Sequence, residues 1–388
     1  MNQILKLSVL ISIIFASGCK SDNHMNKDLK APSAEKQAKS LTIHNSTRID
    51  NYFWMRLTDE QKTAKNKDNQ TQKVEAYLNA ENEYFDKVTA STNNFQKELF
   101  EEMKVRIKED DTSVPYFRNN YFYITSFEKG SQYPIYSRKK ESLEVDEEIL
   151  FDVNQEALEH EYFQLGALNV SPDNKLVAFA TDTVSRRQYT IQIKNLETGE
   201  ILTDKIENTT GGSVWSNDNK TLFYTKKDPL TLRSSSIYRH ILGTDASQDV
   251  IVFEEKDETY STYVYKTKSH KFIVIGSSST LSSEYRIISA DKPYGDWKVI
   301  HPREDNLEYS LAHYGDYFYI QTNKDDAINF KLMKTPVNKT TKENWVDVIP
   351  HRNETLLEDV SIFKNYLVIS ERANGLGKIR IKTWDGKE

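Results

Sequence analysis

SPDNKLVAFAT (171–181) and SNDNKTLFYT (216–225) are two copies of one pattern, and this pattern decides the fold class. Each copy starts with a cluster of turn-forming polar residues and continues as a short apolar strand. The copies begin at Ser171 and Ser216, which are 45 residues apart, close to the length of one blade in a β-propeller. The spacing therefore predicts a radial array of small antiparallel sheets.

The same unit recurs along most of the chain. Alternation with period two begins near Ser113, and no helix-length pattern interrupts it, which excludes a parallel βαβ arrangement. The unit can be followed six times, from near residues 113, 169, 213, 264, 309 and 358. The clearest strands are 121–127, 175–181, 189–196, 221–225, 272–276, 317–321 and 366–370. A large β-sandwich also contains many short strands, but a fixed unit repeated this often favours a mainly β, propeller fold.

A region with helical period precedes the strands. Apolar residues recur at three- and four-residue spacing from Val74 to Val88. The polar cluster 91–94 is typical of a helix cap, and a second apolar stripe follows it, formed by Phe95, Leu99, Met103 and Ile107. We predict a helical extension over residues 46–110, packed against something larger, and the propeller domain over residues 111–388.

The N-terminus has the features of a bacterial lipoprotein signal. Lys6 precedes the apolar run 7–16, which is too short to span a bilayer, and Ser17-Gly18-Cys19 resembles a lipobox. We therefore predict a signal peptide at 1–18, lipidation of Cys19, a flexible tether over 19–45, and a lipid-anchored location in the bacterial cell envelope, periplasmic or on the outer membrane. The alternative, a buried free cysteine, fits poorly with the polar residues that follow Cys19.

Composition excludes some classes of protein. The chain has 388 residues, 37% of them apolar, with 22 Tyr and 17 Phe, which is typical of a globular protein and not of a disordered one. Its net charge is −6 and no basic block is visible, so nucleic acid is not an expected partner.

The sequence contains no recognisable catalytic or metal site. Ser213, in TGGSVW (210–215), is not a nucleophile elbow, because that turn needs a small residue where Trp215 stands and a helix behind it. The eight histidines show no metal-ligand spacing, and Cys19 is the only cysteine. We predict no catalytic residue, no metal and no cofactor in this chain, and no substrate-contacting residue can be assigned.

Several stretches resemble one family. RIDNYFWMR (48–56), YLNAENEYF (77–85) and the long run 99–140 resemble the prolyl oligopeptidase family of serine peptidases, in particular its oligopeptidase B branch. The runs 153–183 and 206–225 keep the order and spacing of that branch. The resemblance extends from about residue 44 to the last residue.

The resemblance implies a two-part enzyme. In this family a helical extension and a seven-bladed propeller limit access to a C-terminal α/β-hydrolase domain, which carries a Ser-Asp-His triad; the oligopeptidase B branch cleaves short peptides after Arg or Lys. About six blade-like units are recognisable here, the last one incomplete, and no residue matches a triad member. We therefore expect the N-terminal part of such a peptidase, inactive by itself, whose partners are short peptides and its own hydrolase domain.

The last residues, KIRIKTWDGKE (378–388), bear on this interpretation. Ile379 and Ile381 alternate with charged residues, as in a half-buried strand, and Asp385-Gly386 is typical of a hairpin turn. A blade that lacks its next strand would leave an exposed edge, so we expect the chain alone to be poorly soluble or oligomeric. The alternative hypothesis is a naturally short, non-catalytic lipoprotein whose β-repeats bind a peptide or a protein.

Overall fold

The computed structural model describes residues 29–387, which fall into two compact units divided between Lys108 and Glu109. Cys19 and the predicted signal peptide 1–18 lie outside the described residues, as do residues 20–28 of the predicted tether.

The first unit contains a hairpin followed by helices. The hairpin pairs β1 (Lys39–Ile43) with β2 (Ser46–Asp50). After a 3-10 turn at Phe53–Met55 come α1 (Asp59–Thr63), α2 (Asn69–Thr89), a second 3-10 turn at Ala90–Thr92, and α3 (Asn93–Val105). Side chains cap two of these helices: Thr58 and Gln61 form a reciprocal capping box at α1, and the Asp68 carboxylate accepts a 2.7 Å bond from the Thr71 amide at α2.

Three details of this unit differ from the sequence-based expectation. Residues 39–45, assigned to the tether, belong to the hairpin. Its residues are almost all exposed, so the sequence carries no buried face that would have revealed it. The start of α3 has no side-chain cap, because Thr92 has helical backbone angles (φ −96°, ψ −4°) and continues the preceding 3-10 turn, where its hydroxyl donates to the Thr89 carbonyl at 2.7 Å. Ile107 lies beyond the end of α3 and not on its stripe.

The second unit consists of short antiparallel strands arranged as six successive blades within residues 109–387. Blade 1 contains β3 (Asp111–Thr112), β4 (Tyr116–Arg118), β5 (Tyr121–Phe127), β6 (Ile135–Lys140) and β7 (Glu148–Asp152), and the short helix α4 (Val153–Ala157) follows it. Blades 2 and 3 share one seven-stranded sheet made of β8 (Gln164–Val170), β9 (Leu176–Asp182), β10 (Tyr189–Asn195), β11 (Ile201–Trp215), β12 (Thr221–Lys227), β13 (Ser234–Ile241) and β14 (Val250–Glu254).

The remaining blades are separate sheets. Blade 4 contains β15 (Ser261–Lys266), β16 (Phe272–Ser278), β17 (Ser283–Ser289) and β18 (Lys298–Val299). Blade 5 contains β19 (Tyr309–Tyr314), β20 (Tyr317–Thr322), β21 (Lys331–Pro336) and β22 (Val346–Ile349), and blade 6 contains β23 (Leu356–Ile362), β24 (Tyr366–Ala373) and β25 (Leu376–Thr383). The predicted mainly β propeller and its six repeating units are confirmed.

The two repeated turns lie side by side on neighbouring blades. The Asp173 amide donates to the Asn219 side-chain oxygen at 2.9 Å, and the Trp215 indole donates to the Asn169 carbonyl at 2.9 Å. Asn174 and Asn219 hold the same position in the two turns, and both have positive φ, 65° and 58°, a conformation that asparagine tolerates better than most residues. The sequence repeat is therefore a repeat of neighbouring blades in space.

Apolar side chains fill each of the five boundaries between consecutive blades. Blades 2 and 3 share a cluster that includes Ala178, Ile191 and Tyr224. At the other four boundaries, aromatic rings meet across the gap: Phe151 with Phe179, Phe223 with Trp297, Tyr285 with Tyr309, and Tyr319 with Trp384. The core is thus a series of inter-blade clusters, as expected for sheets that pack face to face around an axis.

The last strand, β25, corrects one expectation. Ile379 and Ile381, predicted to be half-buried, are 74% and 56% exposed. β25 is the outermost strand of its sheet, and its other face is the one that makes contact, since Arg380 pairs with the buried carboxylate of Glu371 at 2.9 Å. The predicted turn is present: the amide of Gly386 donates to the carbonyl of Thr383 at 3.0 Å.

Candidate functional site

A pocket of about 330 Å³ lies where the first strands of blades 2, 3 and 4 come together. In a propeller these strands surround the central axis, so we name this cavity the axial pocket. Its lining residues are Arg118, Ala167, Asn169, Val170, Pro172, Gly212, Ser213, Val214, Trp215, Val264, Tyr265, Lys266 and His270. Apolar side chains form much of the wall, and the charged groups come from β4, from the end of β15 and from the turn behind it.

The charged groups of the axial pocket are all basic. Burial, with a further contribution from the charge of Arg118, lowers the pKa of Lys266 to about 8. Burial and the neighbouring charges of Arg118 and Lys266 also lower the pKa of His270. At neutral pH the pocket therefore holds two cations, Arg118 and a mostly protonated Lys266, beside a neutral imidazole.

No carboxylate within residues 29–387 forms an ion pair with these cations. The acids that influence Lys266 are Asp218 and Asp291. Asp218 accepts hydrogen bonds from the amides of Lys220 and Thr221 and from the Thr221 hydroxyl, and Asp291 accepts one from the Asn217 side chain at 2.7 Å. Both carboxylates are thus already engaged, and the positive charge of the pocket is left uncompensated.

Ser213 lies in the wall of the axial pocket, on the part of β11 that pairs with Tyr224 of β12. It is in a strand and not in a strand-to-helix turn, in agreement with the sequence-based argument. Among the described residues Ser213 makes no side-chain hydrogen bond to a histidine, so nothing in its surroundings would activate it as a nucleophile.

One serine does contact a histidine. The Oγ of Ser269 lies 2.8 Å from Nδ1 of His313. The imidazole packs against the rings of Phe272 and Phe318, and burial lowers its pKa. Within the described part of the chain no carboxylate hydrogen-bonds His313, so the third member of a triad is lacking, and the pair is best explained as a structural contact between blades 4 and 5.

A buried pair of carboxylates surrounds His240, an arrangement that no sequence pattern predicted. Its Nδ1 lies 2.7 Å from Asp249 and its Nε2 lies 2.9 Å from Asp204, while Tyr224 donates its hydroxyl to Asp249 at 2.7 Å. Burial by itself lowers the pKa of His240, but the hydrogen bonds and charges of the two carboxylates outweigh it and raise the pKa above its usual value. With both ring nitrogens occupied, His240 joins blades 2 and 3 and has no free nitrogen for catalysis.

A second ion cluster joins blades 3, 4 and 5. Arg303 lies 2.6 Å from Glu255 and 3.9 Å from Glu284, and its guanidinium stacks 3.6 Å from the ring centre of Tyr260. Both carboxylates are buried. All charges in this cluster are paired, in contrast to those of the axial pocket, which identifies the cluster as a structural element.

Residues 29–387 contain no group of three or more His, Cys, Asp or Glu side chains that could hold a metal ion. Over that range, no helix combines the length and the apolar character needed to cross a bilayer.

Comparison with known proteins explains this architecture. Residues 32–388 match the family described as prolyl oligopeptidase, N-terminal β-propeller domain. The chain belongs to the prolyl oligopeptidase family. The family resemblance read from residues 48–56, 77–85 and 99–140 is thereby confirmed.

Relatives in the prolyl oligopeptidase family are peptidases by name. The chain is 40% identical over 358 residues to dipeptidyl aminopeptidase BI from Pseudoxanthomonas mexicana, covering 88% of this chain and 48% of the relative. It is 31% identical over 358 residues to protease 2 from Moraxella lacunata, covering 90% of this chain and 50% of that relative. The chain thus spans about half the length of the curated relatives that it matches.

Solved structures of the family show the same fold. Oligopeptidase B from Leishmania major superposes with a TM-score of 0.81 at 29% identity, over 92% of this chain and 51% of that protein. Oligopeptidase B from Trypanosoma brucei, in a closed form with covalently bound antipain, superposes with a TM-score of 0.80 at 25% identity, over 92% of this chain and 51% of that protein. The cations of the axial pocket were missed by sequence reasoning, because only the convergence of four blades brings Arg118 beside Lys266.

Proposed function

We propose that this chain is the propeller part of an oligopeptidase that hydrolyses short peptides, and that a C-terminal hydrolase domain of the same protein performs the catalysis. The observation that carries the proposal is the collinear match of residues 32–388 to the propeller domain of the family. The propeller admits peptides of limited size to the catalytic domain.

The described side chains support a division of labour between two domains. Peptide hydrolysis by a serine enzyme needs a nucleophile, a base and a group that orients the base. Ser269 and His313 provide the first two without the third, and His240 has two carboxylates without a serine. Since neither cluster within residues 29–387 is complete, we assign catalysis to the other domain.

We further propose cleavage after Arg or Lys. The support is the similarity to the two oligopeptidase B structures and to protease 2. The relative at 40% identity is named as a dipeptidyl aminopeptidase, which favours a second candidate: release of dipeptides from a free N-terminus. The two activities differ in whether the substrate needs a free α-amino group.

Two fluorogenic substrate series distinguish these candidates. The complete protein encoded by the gene is assayed with N-blocked dipeptides that end in Arg, Lys, Ala or Pro before the fluorophore. The second series consists of the same dipeptides with a free N-terminus. Preference for N-blocked Arg and Lys peptides supports the oligopeptidase; preference for free dipeptides supports the aminopeptidase. If neither series is hydrolysed, the proposal fails and a non-catalytic binding protein becomes the better explanation. The 388-residue chain, assayed in parallel, is expected to be inactive.

We also propose that Cys19 carries a lipid that anchors the protein to the cell envelope of a bacterium. The support is the short apolar run 7–16 followed by Ser17-Gly18-Cys19. Metabolic labelling with an alkyne fatty acid, followed by fractionation, tests this directly. The labelled protein is expected in the membrane fraction, and Cys19→Ala should lose both label and membrane association; equal labelling of Cys19→Ala would refute the anchor.

A further inference from the structure

The axial pocket combines three properties that a structural ion cluster does not have. Its cations are unpaired among residues 29–387, it is open enough to hold a ligand, and its walls are partly apolar. Elsewhere in the propeller the buried cations have partners: Arg138 forms a two-pronged bond with Glu148 at 2.8 Å and 2.8 Å, and Arg303 is held by Glu255. An unpaired, partly buried lysine raises the free energy of the empty site, and a bound anion would lower it.

We propose that the axial pocket binds the C-terminal carboxylate of a peptide, with Arg118 and Lys266 as its counter-ions and the apolar wall in contact with the last side chain. The proposal rests on the assignment of the protein to peptide hydrolysis. It goes beyond that assignment by selecting peptides with a free C-terminal carboxylate, which are held at the axis of the propeller.

The chemistry of the wall distinguishes a peptide from an inorganic anion. A phosphate ion has no apolar surface, whereas the pocket places Val214, Val264 and Trp215 beside the cations. A volume of about 330 Å³ is at the lower end of the usual range for small-molecule sites, and it exceeds what a single small anion needs. Arg118 can bind both carboxylate oxygens at once, and Lys266 adds a compact positive charge whose N–H groups can donate to the same carboxylate.

The position of the cations is fixed by the strands that carry them. Arg118 ends β4, which pairs with β5 through the register Arg118 to Tyr121. Lys266 ends β15, where it pairs with Ile273 of β16. The turn with His270 is tied to the preceding blade, because the Asn217 side chain donates to the His270 carbonyl at 2.9 Å. A site carried by strands is already arranged before the ligand arrives, which reduces the entropic cost of binding.

The proposal predicts a defined pH dependence. The groups that influence Lys266 are Arg118, Asp218 and Asp291, and those that influence His270 are Arg118 and Lys266. Lys266 is the group that loses its charge as the pH rises through about 8, so affinity for a carboxylate should fall over that range.

Calorimetric titration of the folded 388-residue chain tests the proposal without requiring catalysis. The probes are the tripeptide Gly-Ala-Val as the free acid, the same tripeptide as the C-terminal amide, and inorganic phosphate. We expect the free acid to bind at least about tenfold more tightly than the amide, since a hydrogen-bonded charge pair is lost. Equal binding of acid and amide, or no binding of the acid, overturns the proposal. Phosphate binding as tight as that of the free acid overturns the assignment to a peptide.

Matched variants locate the binding within the fold. Arg118→Gln and Lys266→Gln should each weaken binding of the free acid about tenfold or more, whereas Lys268→Gln, which removes a lysine two residues away whose ammonium lies over Phe363, should leave it unchanged. Lys266→Arg should keep the affinity at neutral pH and abolish its decline at alkaline pH. An unchanged affinity in Lys266→Gln, or a decline that persists in Lys266→Arg, refutes the role of Lys266. Hydrolysis by the complete protein is measured separately, so the two proposals can fail independently.

Discussion

His240 shows how a single residue can join two blades. It is fully buried, and each ring nitrogen lies within hydrogen-bond distance of a carboxylate, Asp204 on β11 and Asp249 beside β14. Two buried carboxylates would repel each other strongly without a positive charge between them. A protonated imidazole supplies that charge and donates from both nitrogens, which is why the pKa of His240 is raised.

Replacing His240 should therefore destabilise the propeller in a pH-dependent way. A raised folded-state pKa stabilises the fold fully below the unfolded value of about 6.5, and this contribution disappears as the pH rises through the folded pKa. His240→Gln should lower the free energy of unfolding by about 3–5 kcal/mol near pH 6, because it leaves two carboxylates uncompensated. The difference in the free energy of unfolding between the wild-type and variant proteins should become smaller toward pH 9.

Urea unfolding followed by tryptophan fluorescence at several pH values measures this difference in the free energy of unfolding. His160→Gln is the matched control, since that histidine is exposed and, among the described residues, its ring packs against that of Phe163. The control should be close to the wild-type protein at every pH. If the free energy of unfolding of His240→Gln differs from that of the wild-type protein by the same amount from pH 6 to pH 9, the imidazole is neutral in the folded protein.

The local sequence predicted the roles of only some of these residues. The exclusion of Ser213 as a nucleophile followed from Trp215 two residues later, a purely local argument. The importance of His240 and Lys266 could not be predicted that way, because their partners come from other strands: Asp204 is 36 residues from His240, and Arg118 is on another blade from Lys266. Long-range charge contacts leave no periodic signal in a sequence.

At the level of elements, β11 connects two blades without a turn. Its first part pairs with β10 in blade 2, and its last residues pair with β12 in blade 3. The register shifts between Thr209 and Ser213, where the strand changes partner. Gly211 lies within this shift with φ of 88°, and a Cβ there would lie 2.8 Å from the ring of Tyr189. Glycine is required at Gly211 for two independent reasons, backbone conformation and space.

Adjacent glycines allow a sharp test of that requirement. Gly211→Ala should lower the free energy of unfolding by about 1–3 kcal/mol, because it adds backbone strain and a steric conflict with Tyr189. Gly212→Ala should change it by less than about 1 kcal/mol, since the nearest atom lies 3.9 Å from the new Cβ and φ is not positive. Thermal and urea unfolding of both variants measure the difference. Equal stabilities would mean that the strand relaxes at no cost when a side chain is added.

Elements with a buried face were predictable, and elements without one were not. The strand predicted at 121–127 coincides with β5, and that predicted at 189–196 differs from β10 by one residue, because alternation and flanking turns are local signals. The hairpin β1–β2 was missed because nearly all of its residues are exposed. The buried side of β25 was assigned to the wrong residues, since alternation identifies two faces but does not say which one is covered.

At the level of the whole molecule, the propeller and the helical unit differ in how much of their apolar surface is covered. Consecutive blades bury their apolar faces against each other. On α3, by contrast, the stripe is largely exposed: Phe95 by 63%, Leu99 by 40% and Met103 by 54%. Apolar patches of this kind on a folded protein generally mark a surface that another molecule or domain covers.

We therefore predict that the 388-residue chain self-associates in solution through the stripe on α3. Replacing Phe95 and Met103 together by lysine should shift the protein toward the monomer, because lysine keeps the helix and makes the stripe charged. Sedimentation velocity over a range of protein concentrations measures the distribution of species. The control combines Gln96→Lys with Glu101→Gln, which changes the net charge by the same amount on the same helix and leaves the stripe intact. A monomeric parent chain, or an equal shift in the control, would show that the stripe does not drive association.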